Sequence, residues 1–211
     1  MKKQNLKSNV LFITTTALSA ALLTVCSWIS VPAFGPFVPF TMQTFAVFLI
    51  AGLFDLRCSV SAVLAYILLG AAGVPVFSGF KSGLGAIMGA TGGYIIGFVF
   101  TVLIIEAFKK MKPGSIVVLI AGMILGLAVC YAFGTGWFYF VFSGSGEVKS
   151  IGAILSMCVM PFLIPDAVKL TLAVILVDRL SLPLAKIGIE TKACRMSKAK
   201  DNRRCNYAVS E

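Results

Sequence analysis

Residues 115–142 carry no charged side chain, and five further stretches of the chain are nearly as apolar. Runs of this kind constrain the fold more than any motif does. An α-helix rises about 1.5 Å per residue, so about 20 apolar residues cross a hydrocarbon core of roughly 30 Å. The segments fall at approximately residues 10–30, 40–54, 58–72, 92–108, 115–133 with a continuation to 142, and 162–182. Composition agrees: 59% of the 211 residues are hydrophobic and only 12% are charged, with a mean hydropathy of +0.98, beyond what soluble domains show. The expected fold is all-α, a polytopic membrane protein with six transmembrane helices in a single domain over residues 10–185. The second and third segments are short and meet at Asp55 and Arg57, so an irregular or re-entrant segment is allowed there. The first segment is kept as a helix, because its apolar stretch exceeds a usual signal-peptide core and "CSWISVPAFG" has no clean cleavage site.

Orientation follows from the basic residues. Cytoplasmic loops carry an excess of Lys and Arg. With the N-terminus (residues 1–9) in the cytoplasm, Lys2, Lys3, Lys7, Arg57, Lys109, Lys110, Lys112 and the basic residues from Arg179 onward lie inside. Only Lys81 and Lys149 lie outside, and Lys169 falls within the membrane. Both termini are therefore expected in the cytoplasm of a cell-membrane protein. The net charge of +10 is a topology signal on this reading, and a tail solvated beside the lipid headgroups accounts for it without any nucleic-acid partner. Residues 186–211 lose their hydrophobicity and read as a basic, disordered tail.

Several chemistries lack their residues. The chain has no histidine, and its six cysteines show no C-x-x-C pairing, so neither a metal-ligand set nor a histidine-based triad has a basis. The thiols read as small apolar fillers. "GFKSG" over residues 79–83 fails as a phosphate-binding loop, because Phe80 separates the glycine from Lys81. With no nucleotide-hydrolysing machinery of its own, a chain that moves a solute uphill must draw on partners or on an ion gradient.

Three places carry polar chemistry into this apolar frame. The loop after the first segment, "SVPAFGPFVPFTMQTF", holds three prolines and reads as a stiff, extended crossing, with Thr41 and Gln43 opening the next helix. The loop over residues 70–98 holds nine glycines interleaved with Phe77, Phe80, Lys81 and Tyr94. A plain connector needs neither that many glycines nor those aromatics, so it reads as a cover over an outward-facing pocket, the alternative being simple packing in the outer leaflet. Finally, Asp166 and Lys169 stand three residues apart in "PFLIPDAVKLTLAVIL", where i and i+3 share a helix face. Pro165 suits a first helical position, which would set the Asp166 carboxylate at a positive helix N-terminus. Intramembrane charges usually face a cavity or the bundle interior. The pair is either a self-neutralising packing device or a recognition pair for a ligand from outside.

Three strings together, "GPFVPFTMQTFAVFLIAGL", "GAAGVPVFSGFKSGLGAIMGATGGYIIGF" and "PFLIPDAVKLTLA", resemble the BioY family, the biotin-specific substrate-binding subunits of energy-coupling factor transporters. The resemblance covers roughly residues 10–185 and departs from the family pattern at Phe80 and Lys81. It implies a six-helix S component that captures biotin from outside, is not itself an enzyme and needs no cofactor. It also implies a transmembrane coupling subunit and two ABC-type ATPase subunits as partners within the lipid bilayer. A small-x-x-x-small pattern on the first helix, here Ala17 and Ala21, would serve docking, although small residues also favour ordinary helix packing.

Biotin suits the residues. Its ureido ring offers two N–H donors and a carbonyl acceptor, while a carboxylate only accepts and an ammonium only donates. Asp166 and Lys169 match both kinds of group, and Thr41 and Gln43 are counted among the substrate-binding residues. Phe77 and Tyr94 supply apolar walls, and the ligand carboxylate meets either Lys81, the glycine loop or Lys169. The alternatives are an S component for another vitamin, such as riboflavin or thiamine, and an ion-coupled transporter. A membrane enzyme using Asp166 as a base lacks a second convergent carboxylate.

Overall fold

The computed structural model describes residues 2–31, 39–143 and 151–186. The crossing at Pro32 and Pro36, Lys149, and the basic tail with Cys194 and Cys205 lie outside the described residues. The element order is α1 (Lys2–Trp28), β1 (Ser30–Val31), β2 (Phe40–Thr41), α2 (Gln43–Leu53), α3 (Leu56–Ala71), a 3-10 turn (Ser78–Phe80), α4 (Leu84–Met88), α5 (Gly92–Met111), α6 (Ile116–Ser143), α7 (Ile151–Cys158) and α8 (Met160–Lys186). α1, α5, α6 and the stretch Ile154–Ser181 are long and apolar enough to cross a membrane, and α2 and α3 are shorter apolar helices. These are the six expected segments, and the bundle is an all-α membrane fold.

Three features differ from the expectation. Thr41 does not open a helix; it ends β2, which pairs antiparallel with β1 in the register Ser30 with Thr41 and Val31 with Phe40. The extended chain there ties the end of α1 to the start of α2. α7 and the short α4 were not foreseen, because neither carries a membrane-length apolar run. Pro165 lies inside α8 instead of at its first position. The helix starts earlier because Pro161 occupies its first turn, where an N–H has no intrahelical partner anyway, and Pro165 then leaves only the Pro161 carbonyl without its i+4 donor.

Side chains that would be faults in a soluble protein make sense in hydrocarbon. Ile13, Leu18, Val117 and Ile164 are well exposed, whereas Phe48, Ile50, Tyr66, Val102, Met123 and Ala173 are fully buried between helices. Lipid solvates the first set, so helix association rests on close packing. α5 and α6 show how close: they run antiparallel in the tightest pairing of the bundle, and glycines sit at the crossing points. A Cβ on Gly97 would lie 3.1 Å from Cys130 Sγ, and one on Gly126 would lie 3.0 Å from Thr101 Cγ2.

α2 is the buried rod of the fold. Its 11 residues cover about 16 Å, roughly half of a hydrocarbon core. Backbone carbonyls at its lower end would be orphaned in an apolar setting, which costs several kcal/mol each. Lys109 from α5 answers this, donating to Ala51 O at 2.5 Å and Phe54 O at 2.8 Å while pairing with Glu106 at 2.6 Å. The chain then turns through an extended Phe54 and Asp55 into α3, which is the short hinge anticipated at Asp55.

Candidate ligand-binding site

The cost of a charge in a bilayer makes α8 the place to begin. Asp166 and Lys169 are 2% and 3% exposed, so neither is solvated by bulk water. Three residues of helix separate them, and their side chains meet: Lys169 Nζ lies 2.7 Å from Asp166 Oδ1. Lys169 also donates to Thr41 O at 2.6 Å and Thr44 Oγ1 at 3.3 Å, and it sits 3.9 Å from the centre of the Phe40 ring. An ammonium has three N–H bonds, and all three are engaged by protein acceptors. Asp166 is held just as firmly. Thr44 donates to Oδ1 at 3.0 Å, and Tyr131, on α6, donates to Oδ2.

The pair does more than neutralise itself, because both members line a cavity. Its empty volume, counting the open mouth, is about 780 Å³. Thr41, Gln43, Phe77, Lys81, Tyr94, Asp166 and Lys169, the whole set singled out from sequence for binding, line this one space. Ile95, Phe98 and Phe162 complete an apolar wall, and Thr44, Thr91 and Ser78 add hydroxyls. Gln43 is held from both ends, its Oε1 accepting from Thr41 at 3.0 Å and its Nε2 donating to Tyr66 OH at 2.5 Å. One Nε2 hydrogen is left over. The lining is therefore graded: charged and hydrogen-bonded at its buried end, apolar along its sides, with a cation, Lys81, on an exposed residue.

The glycine-rich segment covers the cavity, and its fastenings are specific. Ser27 donates to Val76 O, and Trp28 Nε1 donates to Pro75 O at 2.9 Å. Gly83 N–H closes on Gly70 O at 2.7 Å, and the Phe77 ring lies so close over Gly70 that a Cβ there would collide with it. Phe80 adopts a positive φ of 59°, rare for a large side chain. It does not enter the cavity; its ring stacks on Trp28 at 5.1 Å between centres. Phe80 is thus a clasp between the glycine-rich segment and the end of α1.

Tyr131, Thr44, Phe162, Cys130 and Cys158 also line the cavity and were not singled out from sequence. Thr44 follows Gln43 directly, and its place one residue into α2 was the available signal. Tyr131 had none, since an aromatic in the middle of an apolar helix reads as lipid-facing or core. Ala17 and Ala21 lie elsewhere, both exposed, in a shallow apolar groove between α1 and α3 with Phe12, Ile13, Leu68 and Leu69.

Comparison with known proteins gives a consistent result. The model of the BioY family matches residues 1–186. The biotin transporter BioY of Thermotoga maritima is 39% identical over 160 residues, covering 76% of this chain and 89% of the relative. The probable biotin transporter BioY of Pyrococcus horikoshii is 37% identical over 168 residues, covering 80% and 94% respectively. Among solved structures, the S-component for biotin from an ECF-type ABC transporter superposes with a TM-score of 0.71 over 82% of this chain and 92% of its own. At 24% identity that structure speaks for the fold.

Proposed function

Since the chain belongs to the BioY family, we propose that it is the biotin-binding S component of an ECF-type importer, an integral protein of the cell membrane that transports and does not catalyse. The observation that carries this reading is the buried Asp166–Lys169 pair, held open to a cavity whose remaining walls are mostly apolar. Burying two charges stabilises a fold poorly, and apolar residues of similar volume often do as well. Their retention at the wall of a cavity makes sense where a ligand supplies further hydrogen bonds.

The bonding inventory divides the labour within the site. Lys169 has no uncommitted N–H, so its work is to neutralise and fix Asp166. Asp166 accepts a ureido N–H of biotin, and the free Nε2 hydrogen of Gln43 meets the ureido carbonyl. The thiophane ring and valeryl chain lie along Phe77, Tyr94, Ile95 and Phe98. The ligand carboxylate reaches Lys81. Charge-assisted hydrogen bonds in a dry site contribute about 1.5–3 kcal/mol each, and the apolar burial adds to this.

Energy for uptake comes from outside the chain. Two ABC-type ATPase subunits and a transmembrane coupling subunit supply it, the latter seated on the groove at Ala17 and Ala21, where small side chains let a second helix approach closely. The test is equilibrium binding of biotin to the purified chain in detergent, with Asp166→Asn alongside. Tight binding that weakens by about tenfold or more in the variant is expected, since a carboxamide keeps only part of the acceptor set. No binding by a folded parent rejects biotin.

A further inference from the structure

Resting on the biotin reading, we infer that Tyr131 is a positioning residue that leaves Asp166 with a single open acceptor position, selective for a ligand N–H. A carboxylate has about four lone-pair positions, two on each oxygen. Oδ1 takes the Lys169 ammonium at 2.7 Å and the Thr44 hydroxyl at 3.0 Å, which fills it. Oδ2 takes the Tyr131 hydroxyl. One position remains, on Oδ2.

The third bond matters because the terminal torsion of an aspartate is soft and roughly two-fold. Thr44 and Lys169 grip one oxygen only and leave the carboxylate plane free to turn about it. Tyr131 reaches the other oxygen from α6, a different helix from the α8 of Asp166, and removes that freedom. Its own oxygen, having given its proton to Asp166, presents only lone pairs. Tyr131 Oη and Asp166 Oδ2 together therefore form a corner that accepts and cannot donate. A ureido N–H fits there, while a carbonyl or an N-alkylated ureido nitrogen is repelled. Recognition of the donor face of the ligand thus depends on a side chain that is not charged and lies 35 residues from the one it serves.

The experiment is equilibrium binding of biotin, and of biotin methylated on a ureido nitrogen, to the full chain in detergent. Four proteins are compared: the parent, Tyr131→Phe, Asp166→Asn and the double variant. The parent is expected to hold biotin at least about tenfold more tightly than the methylated analogue. Tyr131→Phe should bind biotin about tenfold more weakly and discriminate less between the two ligands. In the Asp166→Asn background the same change should cost little more, because its partner is already altered. Losses that multiply independently, or a Tyr131→Phe variant with parental affinity and discrimination, overturn the assignment. A parent that holds the methylated analogue as tightly as biotin overturns it without requiring any variant to fold. A parent that binds neither rejects the ligand itself, which is a different failure.

Discussion

Replacing Lys169 with methionine keeps an unbranched side chain of similar reach and removes the ammonium. Three contacts go at once, to Asp166 Oδ1 at 2.7 Å, to Thr41 O at 2.6 Å and to Thr44 Oγ1 at 3.3 Å, together with the cation over Phe40. What remains is a carboxylate 2% exposed with hydroxyl donors but no counter-charge. Breaking a buried pair from one side costs about 3–5 kcal/mol, most of it the penalty of the stranded partner. Lys169→Met should therefore lower unfolding stability by about that amount.

The same reasoning makes a sharper statement about the double variant. Asp166→Asn with Lys169→Met leaves no net charge to strand, so its stability should lie above that of Lys169→Met alone, by roughly 1–3 kcal/mol. Denaturant titration in mixed micelles, without ligand, measures all three variants against the parent. None of the three variants should bind biotin as the parent does. If the double variant is no more stable than Lys169→Met, the loss came from the Thr41 carbonyl and the packing around Phe40, and the account of the pair as mutually dependent is refuted.

Three further outcomes follow from other parts of the fold. Lys109→Met uncovers the Ala51 and Phe54 carbonyls and breaks the ion pair with Glu106, so it should destabilise the chain by about 3–5 kcal/mol while biotin affinity of the folded fraction changes little; an unchanged denaturation midpoint contradicts the capping role. Trp28→Ala removes the stack on Phe80 and the bond to Pro75 O, loosening the cover, and should speed biotin dissociation by about threefold to tenfold in a filter-binding chase, an effect absent if the cover is held elsewhere. Ala17→Leu with Ala21→Leu fills the groove between α1 and α3 and should abolish ATP-driven uptake by the reconstituted complex with biotin affinity intact; uptake at the parental rate would move docking to another face.

Much of this architecture is legible in the sequence because its signals are local. An apolar run announces a membrane helix by itself, and a charge inside such a run announces a site by its cost, so Asp166 and Lys169 stand out without any knowledge of their neighbours. The glycine-rich cover is legible for the same reason. Tyr131 is not, because its meaning lies wholly in a bond to a residue on another helix. The helix expected from residue 162 begins at Met160, so Pro165, although it suits a first helical position by rule, falls inside α8.

The lysines expose a deeper limit on local reading. From sequence, Lys109 is a topology signal and Lys169 a recognition residue. In the fold Lys169 bonds to the Thr41 carbonyl at the end of β2, just before α2, and Lys109 bonds to the Ala51 and Phe54 carbonyls at the end of α2. A helix of 11 residues is too short to hide its own termini in a bilayer, and a helix buried on nearly every face has no water to satisfy them. Lys109 answers this at the C-terminal end, where the orphaned groups are carbonyls that accept; the N-terminal end exposes N–H donors, which an ammonium cannot satisfy. The two pairs therefore do different work: Lys109 and Glu106 close the C-terminal end of α2, whereas Lys169 and Asp166 tie α8 to the end of β2 and line the cavity.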